Sequence, residues 1–372
     1  MTIRVLHIAE AAGGVERYSY ALLRNSDPNK VENYVIASQH YEVEKFQQYV
    51  SGIYQIEMAH ELDFKEDKAA VKQIKKLAKK LKPDIVYAHS TKAGALTRMA
   101  LIGMSIPVIY NPHGWAFNID QSKQKELAYR LIEKMQVPFT KKIVCISDAE
   151  MQSAIQKHIC SPNMIKVIPN GVDFELLDKA SSITREELGI PDSAFVVGQI
   201  GRLSKQKAPD VFVEMAKIIK DAIPNSFFVM VGGGNLEAKV RSLIKSEGLE
   251  DSFLITGWVS NPTSYLNCFD VATLLSRWEG FGLALVEYMY CGVPLVSTKV
   301  DAIPYVVDDG VDGLLVEPNR PDKAAQAVIR IHKDKDLAIK FMKNGLLISR
   351  NKYDIRRVVE QTQLLYQELL NH

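Results

Sequence analysis

Two glutamates eight positions apart, Glu279 and Glu287, lie on either side of a glycine-bearing loop in the segment SRWEGFGLALVEYMYCGVP. Gly280-Phe281-Gly282 precedes a helical pattern, so backbone N–H groups near Gly282–Ala284 can hold a phosphate at a helix N-terminus. The two carboxylates can accept hydrogen bonds from hydroxyl groups. Separated acidic groups around phosphate-binding amides predict a site for a sugar nucleotide, in which one glutamate holds the sugar and the other the ribose.

A hydrolase acid and nucleophile is the alternative interpretation of this pair. A retaining glycosidase needs carboxyl groups about 5–5.5 Å apart. Eight helical steps of about 1.5 Å would separate the two backbones by roughly 12 Å. A bent loop would shorten that distance, so the spacing disfavours a hydrolase without deciding against it.

A basic turn follows the strand-like run Phe195–Ile200, where Gly201-Arg202-Leu203 is followed by Lys205 and Lys207. The forked guanidinium of Arg202 suits a pair of phosphate oxygens, and Lys207 adds a mobile charge. Each charge-assisted hydrogen bond contributes about 1.5–3 kcal/mol. The turn therefore favours a diphosphate over its structural alternative, a solvated basic loop.

Glycine- and histidine-bearing turns follow other strand-like runs. Gly13 and Gly14 precede a helix and would let backbone amides approach an anion, but they match neither GxGxxG nor GxxxxGK[ST]. Gly232-Gly233-Gly234 and Gly257-Trp258-Val259 offer backbone to a ligand in the same way. His113, before Gly114, either donates to a sugar hydroxyl or phosphate or makes a structural hydrogen bond. No second ligand group accompanies it, so a metal is not indicated.

The elements that must position these turns alternate between strand and helix. The first half has strand candidates at Ile3–Ile8, Tyr34–Ala37, Ile85–Ala88, Val108–Asn111 and Lys142–Ile146, with helical patterns at Glu16–Leu23, Lys65–Lys82, Thr91–Ile102 and Lys123–Gln136. The second half has strand candidates at Phe195–Ile200, Phe227–Val231, Phe253–Thr256, Val271–Leu274, Pro294–Ser297 and Gly313–Val316, with helical patterns at Pro209–Ala222, Leu236–Ser246, Ala284–Tyr290, Lys323–Ile331 and Asp354–Leu370. This order predicts two α/β domains with parallel, doubly wound sheets. Ligands of such sheets bind at the carboxyl ends of the strands, where the turns above lie.

Composition restricts the class of protein further. The 372 residues are 47% hydrophobic and 24% charged, with a net charge of +2, as expected for folded domains. The longest apolar runs are strand-sized, and the first residues read as a buried strand, so we expect neither a membrane span nor a signal peptide. Four cysteines without CxxC spacing predict free thiols in a reducing cytoplasm.

The segment Lys65–Lys82, KEDKAAVKQIKKLAKKLK, places its lysines on one face of a predicted helix. A solvated surface helix is the simpler interpretation. Peripheral contact with anionic lipid on the inner face of the cell membrane is the other. Nothing in the sequence supports sequence-specific nucleic-acid binding.

Taken in order, these segments resemble the retaining nucleotide-sugar glycosyltransferases of family 4, glycosyl transferases group 1. The resemblance spans essentially the whole chain, and its most specific part is the Glu-x7-Glu element. It rests on Gly13-Gly14, His113-Gly114, Ile168-Pro-Asn-Gly-Val-Asp173, Gly201-Arg202-Leu203 with Lys207, Gly257-Trp-Val259, and Glu279 to Glu287. It implies the GT-B fold, two Rossmann-like doubly wound domains facing a cleft. We expect residues 1–178 plus 355–372 to form the acceptor-side domain and 179–354 the domain that binds the nucleotide sugar.

The resemblance also implies a role for each residue. Arg202 and Lys207 would bind the donor diphosphate, with help from the Gly13-Gly14 loop and the backbone near Gly232. Glu287 would hold the ribose, and the main chain near Val259 would read the base. Glu279, with the amides of Phe281, Gly282 and Leu283, would position the donor sugar, and His113 would contact it near the reacting centre. The implied donor is a UDP-sugar or GDP-sugar, used without a cofactor or metal. The implied acceptor is a glycan or lipid-linked glycan of bacterial surface polysaccharide or glycoconjugate synthesis.

The chain departs from the family pattern at two places. Lys207-Ala208 stands where relatives commonly have Lys-Gly, and Asp301-Ala302-Ile303-Pro304-Tyr305 where they commonly have Gly-Gly-x-Pro-Glu. We expect Asp301 and Tyr305 to alter donor or acceptor preference. A non-catalytic chaperone or binding subunit on the same fold is one alternative, disfavoured by the intact charged set, and a sugar-nucleotide epimerase is another.

Overall fold

Seven parallel strands form the central sheet of the first half of the chain, in the order β3-β2-β1-β4-β5-β6-β7. The computed structural model describes residues 2–10, 13–58, 63–119, 121–179 and 181–371. These strands are β1 Ile3–Ala9, β2 Val31–Ser38, β3 Gly52–Ile56, β4 Ile85–His89, β5 Val108–Asn111, β6 Lys142–Cys145 and β7 Ile165–Val167. The helices between them are α1 Gly14–Arg24, α2 Phe64–Leu81, α3 Thr91–Ala100, α4 Lys123–Gln136 and α5 Asp148–Gln156.

A second parallel sheet has six strands in the order β10-β9-β8-β11-β12-β13. Its strands are β8 Phe195–Ile200, β9 Ser226–Val231, β10 Phe253–Ile255, β11 Val271–Leu274, β12 Leu295–Thr298 and β13 Leu314–Val316. The other α-helices of the described residues are α6 Phe174–Asp178, α7 Pro209–Ala222, α8 Glu237–Ser246, α9 Leu283–Tyr290, α10 Ile303–Val306, α11 Pro321–Lys333, α12 Lys335–Lys352 and α13 Ile355–Leu370. Two doubly wound α/β sheets, the fold class predicted from the sequence, are confirmed.

The chain separates into two units around these sheets. Unit one is Met1–Val172 with Ile355–His372, and unit two is Asp173–Asp354. The first junction thus falls at residue 172, where the sequence-based boundary was 178. Helix α13 belongs to unit one, and the amide of Ile355 donates to the carbonyl of Val172 at 3.0 Å where the chain re-enters it.

Both faces of the first sheet are covered by apolar helix surfaces. On one face, α2 and α3 bury Ala70, Ile74, Ala93 and Leu96 against β1, β2 and β4. On the other face, α1 and α13 pack against the same sheet, and α13 buries Ile355, Val358, Val359, Leu365, Tyr366 and Leu369 there. Strands covered on both faces must be apolar throughout, which explains the short continuous hydrophobic runs of the sequence.

The structure contains elements that the sequence analysis did not predict. Strands β3 and β7 are the two edges of the first sheet, and they are short and partly exposed, so neither has a continuous apolar run. Helix α12 buries little apolar surface, and its Gly345 packs against Met289 of α9. Hydrophobic periodicity is weak in such elements, because only part of each contributes to a core.

The lysine-rich helix α2 lies on the outside of unit one. Asp63 begins it, since its side chain accepts from the amides of Lys65 and Glu66 at 2.9 Å. One face is buried against the sheet and most lysines lie on the other. None of the described helices combines the length and the apolar character that a bilayer crossing would need.

Candidate active site

Lys207 and Glu279 meet where the loops after β8 and β11 come together at the carboxyl ends of these neighbouring strands. Lys207 Nζ donates to Glu279 Oε2, and the hydroxyl of Ser276 donates to the same oxygen at 3.1 Å. The Lys207 and Glu279 side chains are only 18% and 10% exposed. The amide of Glu279 donates to Asp301 Oδ2 at 2.8 Å, so three loops of unit two hold this carboxylate in place.

Further contacts join the β8 loop to the β11 loop. Arg277 makes a bidentate ion pair with Asp210 at 3.1 and 2.7 Å, and it also donates to the carbonyl of Lys205 at 3.0 Å. The side-chain amide of Gln206 donates to the carbonyl of Trp278 at 3.1 Å. Bidentate Arg–carboxylate pairs fix geometry strongly, so the two loops form one preorganised surface.

Arg202 lies on that surface with an exposed side chain. Within the part of the chain that the structure describes, its guanidinium makes no ion pair or hydrogen bond with another residue. It stands two residues after β8 ends, five positions before Lys207. An exposed guanidinium next to a mostly buried ammonium can bind an incoming anion such as a diphosphate.

The glycine run Gly232–Gly234 has a structural function in unit two. A Cβ at Gly232 would clash with the carbonyl oxygen of Gly201, and one at Gly234 with the carbonyl oxygen of Leu203. The run therefore lets the β9 turn pack main chain against the Gly201-Arg202-Leu203 turn, with the amide of Leu203 donating to Gly233 at 3.0 Å. Contact between Gly232 and a donor stays a prediction.

Val259 lines a shallow surface depression of unit two. Its other walls are Ser181, Ile183, Trp258, Ser260, Asn261, Ser264 and Tyr265. Trp258 is 76% exposed beside it, which is unusual for so large an apolar side chain. The depression would accommodate a flat ring such as a nucleobase, whose position near Val259 stays a prediction.

Helix α9 begins directly after Gly282, which has a left-handed φ of 85°. Phe281 is buried against Tyr353, their rings 5.6 Å apart, so the loop before the helix is anchored. The backbone amides of Leu283 and the next residue lie in the first turn of α9, directly after this anchored loop. Amides in the first turn of a helix have no partner within the helix. Glu287, one turn further on, is completely buried, so contact with a ribose requires side chains around it to move.

Strained backbone marks two of the loops that hold Glu279. Ala208 has φ 48° and Asp301 has φ 41°, both in the left-handed region. This conformation costs a residue other than glycine roughly 1–2 kcal/mol. Glycine adopts this conformation without that cost, and outliers of this kind concentrate at ligand-binding loops.

In unit one, His113 is the end of a hydrogen-bonded row of three imidazoles. His113 Nε2 lies 3.1 Å from His89 Nδ1, and His89 Nε2 lies 3.1 Å from His7 Nδ1. His7 Nε2 lies 3.1 Å from Asn33 Oδ1. Burial lowers the pKa of His7 to about 4 and that of His113 to about 3, and it also lowers the pKa of His89, so all three are neutral at pH 7.

Gly13 and Gly14 begin α1 at the end of β1, the strand that carries His7. Gly13 has φ 84°, and a Cβ at Gly14 would have no atom within 4 Å. Gly14 therefore faces open space, as a residue whose backbone approaches a ligand should. The phosphate contact expected of this loop stays a prediction.

Glu150 supports the other side of the His113 turn, and the sequence analysis missed it. Glu150 Oε2 accepts from the amide of Ile146 at 2.9 Å, and a Cβ on Gly114 would lie 4.0 Å from Glu150 Oε1. Burial raises the pKa of this carboxyl group to about 8, so it is mostly protonated at pH 7. The only sequence signal is its place in the first turn of a helix after a buried strand.

We expect Glu150→Gln to abolish one component of the pH dependence of stability. The folded pKa of Glu150 is raised above the unfolded value near 4.5, so its contribution is fully present below pH 4.5 and is lost as the pH rises towards 8. Relative to Glu150→Gln, the wild type should lose about 1.4 kcal/mol of unfolding free energy per pH unit in that window. Urea denaturation of both proteins from pH 5 to 8 measures the difference. If the unfolding free energies of the two proteins changed equally with pH, the carboxyl group of Glu150 would not be buried and neutral.

In the described part of the chain, no group of three His, Cys, Asp or Glu side chains is arranged to hold a metal ion. The four cysteines are free thiols, of which Cys145 and Cys268 are buried.

Comparison with known families and proteins gives consistent matches along the chain. The family model for glycosyl transferases group 1 matches residues 181–347, and the model for Glycosyltransferase Family 4 matches residues 12–176. The UDP-Gal:alpha-D-GlcNAc-diphosphoundecaprenol alpha-1,3-galactosyltransferase of Escherichia coli is 32% identical over 314 residues, which cover 82% of this chain and 80% of that protein. A D-inositol 3-phosphate glycosyltransferase of Corynebacterium jeikeium is 26% identical over 304 residues, covering 77% of this chain and 72% of that protein.

A solved structure resembles this chain over nearly its whole length. Anabaena Alr3699/HepE in complex with UDP and glucose has a TM-score of 0.85 and 20% sequence identity, and the match covers 98% of this chain and 99% of that one. At that identity the likeness shows a shared fold.

Proposed function

Because this chain belongs to the family 4, group 1 glycosyltransferases, we propose that it transfers a sugar from a nucleoside-diphosphate donor to a glycan or lipid-linked glycan, with retention at the anomeric carbon. The observation that carries the proposal is the contact between Lys207 and Glu279 at the ends of β8 and β11, with the exposed Arg202 on the same surface. These groups can bind both the diphosphate and the sugar of one donor molecule.

Arg202 and Lys207 act on the leaving group. When the bond between the anomeric carbon and the diphosphate breaks, negative charge grows on the phosphate oxygens. Cationic donors aimed at that position stabilise the transition state more than the ground state. Lys207 suits this task because its ammonium is mostly buried, where electrostatic interactions are stronger than in water.

Glu279 positions the donor sugar. Its Oε2 already accepts hydrogen bonds from Lys207 and Ser276, and such an engaged carboxylate is a weak nucleophile. We therefore assign the attack to the acceptor hydroxyl, on the face that the diphosphate leaves. The acceptor oxygen bonds to the anomeric carbon, its proton passes to a phosphate oxygen, and the configuration is retained.

A UDP-hexose and a polyprenyl-diphosphate-linked sugar are the substrates that we propose to test first. The Escherichia coli relative is named as a galactosyltransferase that uses UDP-Gal and an undecaprenyl-diphosphate-linked GlcNAc. Its similarity to this chain supports the same class of donor and acceptor here, and with it a role in bacterial surface polysaccharide synthesis.

The direct test is calorimetry with UDP and GDP, followed by transfer assays with labelled UDP-sugars and GDP-sugars in the presence of EDTA. We expect binding of one nucleotide, transfer without added metal, and an α-linked product from an α-linked donor. The proposal would be overturned if no binding, no transfer and no slow donor hydrolysis were found with any of the UDP-sugars or GDP-sugars. Binding without turnover would indicate a non-catalytic subunit, and an altered sugar nucleotide in the absence of acceptor would indicate an epimerase.

We also propose peripheral contact with anionic membrane through unit one. Most lysines of α2 are exposed, and α4 turns Leu127, Leu131 and Met135 outward, 53%, 50% and 67% exposed. Apolar side chains at this helical spacing, with a basic helix in the same unit, fit a lipid interface. Vesicles containing phosphatidylglycerol should sediment the protein and phosphatidylcholine vesicles should not. Equal sedimentation with both would contradict the electrostatic part of the contact.

A further inference from the structure

The three imidazoles of unit one form one hydrogen-bonded row that runs across three adjacent strands. His113 follows β5, His89 ends β4 and His7 lies in β1. His7 and His89 are 2% and 0% exposed, and His113 is partly exposed at the strand ends. The row therefore connects a fully buried polar group, Asn33, to the surface where the donor sugar is expected.

Proton counting along the row determines which nitrogen of each ring carries hydrogen. A neutral imidazole has one N–H donor and one bare acceptor nitrogen. Asn33 Nδ2 donates to Ser26 Oγ at 3.0 Å, which leaves Asn33 Oδ1 facing His7 Nε2 as an acceptor. His7 must then donate from Nε2 and accept at Nδ1. By the same rule, His89 donates from Nε2 to His7, and His113 donates from Nε2 to His89.

We propose that His7 and His89 are positioning residues that, anchored by Asn33, hold His113 in its Nε2–H tautomer, so that His113 Nδ1 is an acceptor for a hydroxyl group of the donor sugar. This inference rests on the proposed function for the identity of the ligand. A bare nitrogen attracts a hydroxyl and repels a phosphate oxygen. His113 therefore contributes to recognition of the sugar and leaves the diphosphate to cationic residues.

This proton order requires neutral rings and an unoccupied outer nitrogen, and both conditions are met. Burial keeps all three imidazoles neutral at pH 7, so no ring can donate from both nitrogens. Among the described residues none hydrogen-bonds to His113 Nδ1, and the main-chain φ of 52° at His113 is held by a hydrogen bond from its amide to Asn111 Oδ1 at 2.9 Å. The ring is fixed at one nitrogen and available at the other.

The tautomer can be measured directly by NMR of the full chain labelled with ¹⁵N-histidine, in which protonated and bare ring nitrogens have well-separated shifts. His113→Gln assigns the His113 signals. We expect His113 to carry hydrogen on Nε2 and not on Nδ1. Hydrogen on Nδ1 would overturn the proposal, and this measurement does not depend on any enzymatic activity.

Variants of His89 separate positioning from simple structural support. The amide oxygen of His89→Asn lies near the former Nδ1 and can still accept from His113, whereas His89→Phe cannot. We expect His89→Asn to keep the His113 tautomer and a transfer rate within about threefold of wild type. We expect His89→Phe to mix the tautomers and to lower kcat about tenfold. Equal tautomer populations in the two variants would overturn the proposal. If either variant does not fold, Asn33→Ala, which removes the anchoring acceptor, replaces it: mixed His113 tautomers are expected, and an unchanged Nε2–H tautomer would overturn the proposal.

Nucleotide affinity distinguishes a hydroxyl contact from a phosphate contact. UDP without a sugar should bind wild type and His113→Ala equally, within about twofold, whereas a UDP-hexose should bind the variant at least tenfold more weakly. Weaker binding of UDP itself would overturn the acceptor assignment. If no nucleotide binds the wild type, the proposed function fails while the tautomer result stands.

Discussion

Replacement of Lys207 by methionine is expected to lower kcat/KM about a thousandfold, the upper part of the range for loss of one transition-state donor. The ammonium is mostly buried beside Glu279 and is held by its own loop, so water replaces it poorly. Methionine keeps most of the length of the side chain and removes the ammonium, with its charge and its hydrogen-bond donors. Steady-state kinetics measures the effect, with the donor that the transfer assays with UDP-sugars and GDP-sugars identify.

The same replacement should destabilise unit two by about 3 kcal/mol, because Glu279 would be left as a buried charge without its partner. The double variant Lys207→Met/Glu279→Gln removes both charges. It should regain most of the lost stability and none of the activity. Recovery of activity in the double variant would contradict the assignment of Lys207 to the leaving group.

Arg202→Ala provides the matched comparison on the same surface. Arg202 is exposed and holds no described neighbour in place, so its removal should lower kcat about a hundredfold without a change in Tm. Arg241→Ala, an exposed arginine on α8 of the same unit, is the control and should leave both quantities unchanged. Equal kinetics for the Arg202 and Arg241 variants would show that Arg202 does not belong to the active site.

Arg98→Met should have the largest effect on stability, about 3–5 kcal/mol, because it breaks a fully buried ion pair. Arg98 Nη2 lies 3.0 Å from Glu133 Oε2, and the two side chains are 1% and 3% exposed. The guanidinium also lies 4.0 Å from the ring centre of Tyr110, whose hydroxyl donates to Glu133 Oε1 at 2.7 Å. Removing the cation leaves the carboxylate buried among groups that cannot neutralise it.

Urea denaturation of Arg98→Met, Arg98→Met/Glu133→Gln and Lys134→Met tests this expectation. The double variant should recover at least half of the loss, since a neutral amide is less costly to bury than a charge. Lys134 lies next to Glu133 on α4 with an exposed side chain, so its replacement should change stability by less than about 0.5 kcal/mol. A loss below about 1 kcal/mol for Arg98→Met would show that water reaches the pair.

The positions of Arg202, Lys207 and Glu279 after strands could be predicted because each follows a short apolar run, and parallel strands bring their carboxyl ends to one edge. The family and the fold class were predicted on the same residues and are confirmed. The individual roles of these residues stay predictions. The burial of Glu287 could not be predicted, since nothing in its spacing indicates that the side chain is completely buried.

Other parts of the site could not be derived from local sequence. Asp301 holds the amide of Glu279 from 22 positions away, through a left-handed turn that no sequence pattern indicates. His7 and His89 look like ordinary buried strand residues until the strand order β1-β4-β5 places them in one row with His113. Contacts of this kind depend on which strands are neighbours, and periodicity along the chain carries no information about that.

Because α13 belongs to unit one, the two units cannot complete their folding in the order in which their first residues are synthesised. Unit two, residues 173–354, is continuous and can close on itself as soon as it has left the ribosome. Unit one emerges earlier but lacks the layer that covers Val5, Tyr87 and Ile109 until residues 355–371 have been made. The nascent chain therefore carries an incomplete apolar sheet face while the whole second domain is translated.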